Sequence, residues 1–213
     1  MVLAMMLTVN GFSGALFALA ATQDATQGVV NFNRGEASII IRGNAGQSLK
    51  GKTFQVYQLF YAENSVGTES INYMINPEFQ GILENIVGLK KGKAASEVTE
   101  YEIIDFIQSM KSDEAKSEGN STFRIFVEEL RDAIAKENIA GDTIHITNAR
   151  GDNSVLVEGL EYGYYIVDEI TDVEKTDSAA SLCMVDTAAP TAEFYVKSDY
   201  PTLIHKIQED DEK

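Results

Sequence analysis

The period of the hydrophobic pattern changes twice along the chain, and this change constrains the fold more than any other feature. Three early segments predict strands, because β-branched and aromatic residues nearly alternate with polar ones: ASIIIRG (37–43), TFQVYQLFYAE (53–63) and INYMI (71–75). Residues 77–138 have helical spacing instead. After Gly141 the strand pattern returns in TIHITN, SVLVEGL, GYYIVDEI, SLCMVD and TAEFYVK. This order predicts a mostly β fold with α+β character, in which a helical block is inserted between strands of an antiparallel β-sandwich.

Apolar stripes define the helices of that block. Thr99 and Glu102 have the spacing of a capping box and predict the start of one helix. Asn120 and Ser121 are good N-cap residues for another. We expect the apolar faces to pack on the core rather than on lipid or a cofactor. The stripes are Phe79, Ile82, Leu83 and Ile86; Ile103, Phe106, Ile107 and Met110; and Phe123, Phe126, Val127, Leu130 and Ile134.

The charge balance excludes two classes of partner. The chain has 17 Lys plus Arg against 33 Asp plus Glu, a net charge of −16, and its sequence pI is about 4.4. Binding to nucleic acid or to anionic lipid headgroups depends on an excess of basic side chains. We therefore expect neither nucleic acid nor a membrane surface as a partner.

Cysteine and histidine are too scarce for the common site chemistries. The one cysteine, Cys183, excludes an intrachain disulfide, and its apolar run SLCMV predicts a small buried side chain. His145 and His205 lie far apart, and His145 alternates with apolar neighbours, which is typical of a strand-face residue. A structural zinc site of four Cys and His ligands is thus excluded, and a Ser-His-Asp hydrolase is disfavoured. We expect no enzyme, metal or cofactor.

The first residues have the pattern of a secretory signal. Residues 1–23 carry no charge, 3–19 are largely apolar, and Ala18-Leu19-Ala20-Ala21 is a small-x-small pattern, which predicts cleavage after Ala20. We expect 21–36 to be a flexible segment. A transmembrane helix is the alternative, although polar and glycine residues interrupt the run. Because no Lys or Arg precedes the run, we expect a true start further upstream or a gene fragment. Export without disulfides favours a bacterial exterior.

Three segments resemble Gram-positive fimbrial (pilus) shaft proteins: TFQVYQLFYAE (53–63), GLEYGYYIVDE (159–169) and TAEFYVKSDYPTLIHKI (191–207). The resemblance is to the N-terminal domain of pilins whose later, Cna B-type domains form isopeptide bonds. It covers nearly all of the chain from Ala37, and 159–169 is its most specific part.

The resemblance implies a fold, a location and partners. The fold is an Ig-like, Cna B-like sandwich at 37–197 with the helical insertion 77–138, followed at 198–213 by a linker and the first strand of a cut second domain. The protein would be an exported structural subunit on the cell wall of a Gram-positive bacterium. A class C sortase would join it to other pilin subunits.

The resemblance also implies roles for two lysines. Lys197, at the end of the last strand, is the best positional match for the sortase acceptor, although Tyr200-Pro201 is followed by Thr202 and not by the usual lysine. Lys206 matches the isopeptide donor of the second domain. The alternative for Lys197 is a solvated lysine at a strand end, and for Lys206 an ordinary strand lysine. The sequence contains no LPxTG-like sorting signal.

Within residues 24–197 we expect no isopeptide bond. Arg42 takes the donor position on the first strand, and a guanidinium stays protonated. No Asn follows Asn153, which leaves Asp186 as the alternative acceptor. Glu169 lies where Cna B-type domains often carry their catalytic acid, and without a reactive pair we expect a solvated strand-end carboxylate.

Two other functions are compatible with the same sequence. One is an adhesin or tip pilin that binds host protein or glycan. The other is an Ig-like accessory module of a secreted hydrolase, which an adjoining catalytic domain would reveal. A shaft subunit differs from a tip subunit in needing an acceptor lysine.

Overall fold

The computed structural model describes residues 20–44, 46–64, 71–111, 122–171, 181–185 and 191–196. In these ranges the fold is mixed α/β and mostly strand. The helices are α1 (Pro77–Lys91), α2 (Glu100–Lys111) and α3 (Thr122–Glu137). The strands are β1 (Thr22–Ala25), β2 (Val29–Asn31), β3 (Ala37–Arg42), β4 (Thr53–Asn64), β5 (Ile71–Ile75), β6 (Asp142–Ile146), β7 (Ser154–Leu160), β8 (Gly163–Glu169), β9 (Ser181–Val185) and β10 (Thr191–Tyr195).

The strands form two sheets. The first has the order β1-β6-β4-β8-β9, and β5 pairs with the C-terminal half of β4. The second has the order β10-β3-β7-β2. The strands expected between residues 37 and 197 are present, and so is the helical block between β5 and β6. The strand expected at 198–213 lies outside the described residues. The expected antiparallel arrangement was wrong in part, because β1–β6, β10–β3 and β2–β7 are parallel pairs. Each of these pairs joins strands distant in sequence, and a long connection permits a parallel pair where a tight turn does not.

The N-terminal segment 21–36 is part of the sheets, so the expectation of a flexible segment was wrong. It contributes the edge strands β1 and β2, and it buries Ala25, Val30 and Phe32. These strands have four and three residues, too few for a hydrophobic period to be recognised. Their stability comes from pairing with β6 and β7 rather than from local sequence.

Two apolar cores lie on opposite faces of the first sheet. One is shared by both sheets, which gives a sandwich-like arrangement, and the other lies between the first sheet and the helices. Strand β4 serves both, because Val56 joins the shared core and Tyr57 joins the helical one. The register of β4 against β8 shifts between Gln58 and Phe60, and both Leu59 and Phe60 contact the helical core.

Local capping places the helices. The Glu78 amide donates to Asn76 Oδ1 (3.2 Å), and Pro77 opens α1. The capping box before α2 is confirmed: Thr99 N–H donates to Glu102 Oε2 (3.0 Å), and Glu102 N–H donates to Thr99 Oγ1 (3.3 Å). The three apolar stripes face the helical core as expected, with Phe106 and Phe123 partly buried. Asn120 and Ser121 lie outside the described residues.

Two glycines allow the chain to pass from β7 in the second sheet to β8 in the first. Gly159 has φ +70°, a conformation that favours glycine, and a side chain there would overlap Asn31 and Asn33. A side chain at Gly163 would overlap the Phe60 carbonyl oxygen. Close packing therefore requires the two glycines of the Gly-Leu-Glu-Tyr-Gly sequence.

Candidate functional site: buried charges at the end of the two sheets

A lysine and a glutamate form a buried ion pair at the end of the core that both sheets share. Lys52 immediately precedes β4, and Glu169 ends β8, which is antiparallel to β4. Lys52 Nζ lies 2.6 Å from Glu169 Oε1, and the side chains are 10% and 6% exposed. By strand alternation both lie on the same face as Phe54 and Val167 of the shared core. This is the most buried ion pair of the described residues.

The expectation that Glu169 is a solvated carboxylate was therefore wrong. Strand ends are usually wet, but here the segment before β4 closes over the end of the core. The Lys52 amide donates to the Leu49 carbonyl (3.1 Å), and the Ile146 amide donates to the Lys52 carbonyl (2.9 Å). Sequence reasoning missed Lys52, because its role depends on the pairing of β4 with β8 across more than a hundred residues.

Amide formation at this pair would need more than the contact of the two charges. Joining the Lys52 amine to the Glu169 carboxyl would release water, and it requires a neutral amine and an acid that protonates the departing oxygen. Asp168 is the residue before Glu169, but strand alternation turns its side chain to the helical face of the sheet. There the charges of Arg131 and Asp132 on α3 influence its pKa. The close contact of the two charges fits a structural salt bridge.

Arg42 lies at the end of β3, where the resemblance calls for a donor lysine. Its Nη1 lies 2.8 Å from Asp152 Oδ2 and its Nε 2.7 Å from Glu193 Oε1. Hydrogen bonds raise the pKa of this guanidinium further above its usual range, and the bond to Glu193 has a larger effect than the bond to Asp152. Arg42 thus joins β10 to the loop before β7 through charge and cannot act as a nucleophile.

The described chain ends at a fixed point just before the acceptor candidate. Val196 is 1% exposed, and its amide donates to the Arg42 carbonyl (2.8 Å). Asn44 Nδ2 donates to the Val196 carbonyl (2.6 Å). Lys197, Lys206 and Asp186 lie outside the described residues, as does the side chain of Cys183. The last described residue before Lys197, Val196, is therefore anchored by its backbone.

Asp168 is a buried acid on the opposite face of the same sheet end. It is 7% exposed, and its Oδ1 has no hydrogen-bond partner among the described residues. Burial raises its pKa to about 6, against a lowering effect of Arg131. The adjacent Tyr57, whose pKa burial raises to about 12, packs edge-on against Phe79. A carboxylate held this way opposes folding at neutral pH.

Asp168→Asn should make this cost visible as a pH-dependent stability difference. A folded-state pKa above the unfolded value gives stability that is present below about pH 4 and is lost as the pH rises through 6. We expect the variant to be more stable than the parent by about 1–2 kcal/mol at pH 7.5 and nearly equal at pH 3.5. Urea unfolding at the two pH values measures this. An equal difference at both would show that Asp168 titrates normally.

Other side chains carry less chemistry. His145 is exposed on β6, as expected of a strand-face residue, with Nδ1 3.1 Å from Thr53 Oγ1. The described residues contain no group of three or more side chains suited to hold a metal ion. None of their helices is long and apolar enough to cross a membrane. No protein-family model matches the chain, and no curated protein matches it significantly.

Proposed function

We propose that this chain is the N-terminal part of a structural subunit of a sortase-assembled pilus on the surface of a Gram-positive bacterium. In this proposal the two sheets form an Ig-like, Cna B-like domain, and Lys197 is the amine that accepts the next subunit. The partners are other copies of the subunit and a class C sortase.

The observation that carries the proposal is the anchored end of β10. An acceptor lysine must reach a bulky acyl-enzyme, yet it must also transmit load into a folded domain. Val196 is buried, its amide donates to the Arg42 carbonyl, and its carbonyl accepts from the side-chain amide of Asn44. The residue that follows it is Lys197. The charge pair of Arg42 with Glu193 ties β10 to β3 at the same end. The proposal therefore attaches the acceptor lysine directly to a strand that is anchored in the domain.

The position of Ala21 supports export with cleavage after Ala20. Ala20 is exposed, whereas the Ala21 amide donates to Asp142 Oδ1 (2.9 Å), and its carbonyl accepts from Thr143 N–H (2.7 Å). Asp142 also binds the guanidinium of Arg34, with contacts of 2.5 and 2.9 Å. Cleavage there would create an ammonium at a nitrogen that already faces a carboxylate.

The mass of secreted protein tests both export and the absence of a crosslink. Expressed in a Gram-positive host, residues 1–213 should yield a product whose mass is the sum of residues 21–213, without loss of ammonia or water. Arg42 cannot be a nucleophile, and Lys52 forms a salt bridge. A product that retains Met1 would contradict the signal, and a loss of water traced to Lys52 and Glu169 would contradict the assignment of a salt bridge.

The proposal as a whole is tested by removing the Lys197 amine. In a host that assembles the subunit with its sortase, Lys197→Arg should abolish the ladder of covalent polymers. The same change at another lysine should not.

A further inference from the structure

The loop between β6 and β7 carries a tripeptide that the structural role does not use, Arg150-Gly151-Asp152. These residues occupy the first three positions of a β-turn, closed by Asn153 N–H donating to the Arg150 carbonyl (2.8 Å). Arg150 N–H in turn donates to the Ser154 carbonyl (2.8 Å). All three residues of the tripeptide are exposed. The turn thus presents a cation and an anion at the surface.

The base of this turn is fixed by Asn153. It has φ +58°, its Nδ2 donates to the Gln47 carbonyl, and its Oδ1 accepts from Leu49 N–H (3.2 Å). The Asn153 carbonyl accepts from Gly43 N–H (3.0 Å). The turn is therefore ordered before any partner arrives, which lowers the entropic cost of binding.

The two charges of the turn differ in how they are held. Arg34, Arg42 and Arg131 are ion-paired, whereas the Arg150 guanidinium has no ion pair or hydrogen bond within the described part of the chain. Asp152 accepts from Ser154 Oγ (2.6 Å) and from Arg42, and these bonds hold its pKa below the usual range. Its side chain is still 56% exposed. A carboxylate that is ionised at neutral pH is thus oriented with lone pairs left for a ligand.

The two side chains lean to opposite sides of β7. The Arg150 stem covers Gly28, just before β2: its Cγ lies 2.7 Å from where a Gly28 Cβ would stand. Asp152 leans the other way, to Arg42 at the end of β3. Strands β2 and β3 flank β7 on its two sides. A partner must therefore receive the guanidinium and the carboxylate at separate points.

Gly151 is a glycine that the fold does not require. No atom lies within 4 Å of the position its Cβ would take, and its φ is not positive. Gly28, Gly159 and Gly163, by contrast, are each closely packed. Because Gly151 has no side chain, its backbone between the two charged residues is open, and a partner's surface can approach it closely.

We propose that the turn Arg150–Asn153 binds an adhesion receptor of animal cells whose site combines a bound divalent cation with an acidic pocket. The Asp152 carboxylate completes the coordination of the cation, since Mg²⁺ takes carboxylate oxygens. The Arg150 guanidinium forms paired hydrogen bonds with carboxylates of the pocket. A chain of net charge −16 would repel an acidic receptor, so the bridging cation is essential. This activity goes beyond the structural role and does not rest on polymerisation.

Attachment of cultured fibroblasts to surfaces coated with the monomeric protein, without sortase, tests the proposal. We expect attachment in Mg²⁺ that is lost in EDTA and is inhibited by the hexapeptide Ala-Arg-Gly-Asp-Asn-Ser but not by its counterpart with Glu in place of Asp. Asp152→Glu keeps the charge but displaces the carboxylate, and Gly151→Ala places a methyl group over the open backbone between the two charges. Each should lower attachment about tenfold, the effect of 1.4 kcal/mol in binding.

Matched controls separate recognition from folding. Asp132→Glu changes another exposed carboxylate, on α3, in the same way and should leave attachment unchanged. Equal melting temperatures of Gly151→Ala and the parent would show that the turn is intact. Attachment no greater than to albumin, attachment that survives EDTA, or attachment that survives both turn variants would overturn the proposal. Loss on glycosidase treatment of the cells, with the turn variants still active, would assign attachment to a glycan instead.

Discussion

Glu169→Gln is expected to lower the free energy of unfolding by about 3 kcal/mol, because it leaves the Lys52 ammonium buried without the carboxylate that faces it. The two side chains are 10% and 6% exposed and 2.6 Å apart, so water screens their charges little. Equilibrium unfolding in urea at pH 7 measures the change. The loss should appear as a lower midpoint with an unchanged slope.

The exposed pair Lys90–Glu129 is the matched control. Its contact distance is 2.7 Å, close to that of the buried pair, but its side chains are 33% and 42% exposed. Glu129→Gln should therefore cost less than about 1 kcal/mol. The double variant Lys52→Met, Glu169→Leu should recover most of the stability, because it removes both charges and keeps the volume. If Glu169→Gln costs no more than Glu129→Gln, the pair is not buried as described.

The elements that the sequence could predict are those with a long hydrophobic period. Strand β4 alternates over most of its twelve residues, and α1 and α3 carry stripes of four or more apolar side chains, so their type and place follow from local pattern. The Thr99–Glu102 capping box was found from spacing alone, since both partners lie within one helical turn.

Pairing between distant strands could not be predicted in the same way. Strands β1 and β2 are too short to show a period, and their burial depends on the strands beside them. The direction of a pair such as β10–β3 is set by long connections rather than by a turn sequence.

The candidate sites also depend on contacts between residues that are distant in the sequence. Lys52 and Glu169 become a site when β4 pairs with β8, and neither residue is unusual in its own segment. Asp168 reads as one polar residue near the end of a strand, and its raised pKa follows from helices packed on that face. The tripeptide at residues 150–152 is visible in the sequence, but its exposure and fixed turn are properties of the fold.

Lys197→Arg is expected to have the largest effect on function, the complete loss of high-mass polymers. Arginine keeps the charge and solubility, but a guanidinium stays protonated and cannot attack a sortase acyl-enzyme. No shifted pKa is needed at Lys197, since the enzyme's own base can take the proton during attack. Immunoblots of cell-wall extracts from a host that expresses the complete gene product with its sortase measure the ladder.

Lys206→Arg is the control for this change, because it alters a nearby lysine in the same way. Its ladder should remain but be less resistant to heat and protease, as expected if Lys206 serves an internal crosslink. A ladder that survives Lys197→Arg would place the acceptor elsewhere and would favour the adhesin or tip role.

The central claim, that Lys197 joins one subunit to the next, is tested most directly by mass spectrometry of peptides from purified polymer. The account predicts a branched peptide in which the Lys197 ε-amine is bonded to the C-terminal residue of the neighbouring subunit's sorting signal. Unmodified Lys197 throughout the polymer, with the branch at another lysine, would contradict it.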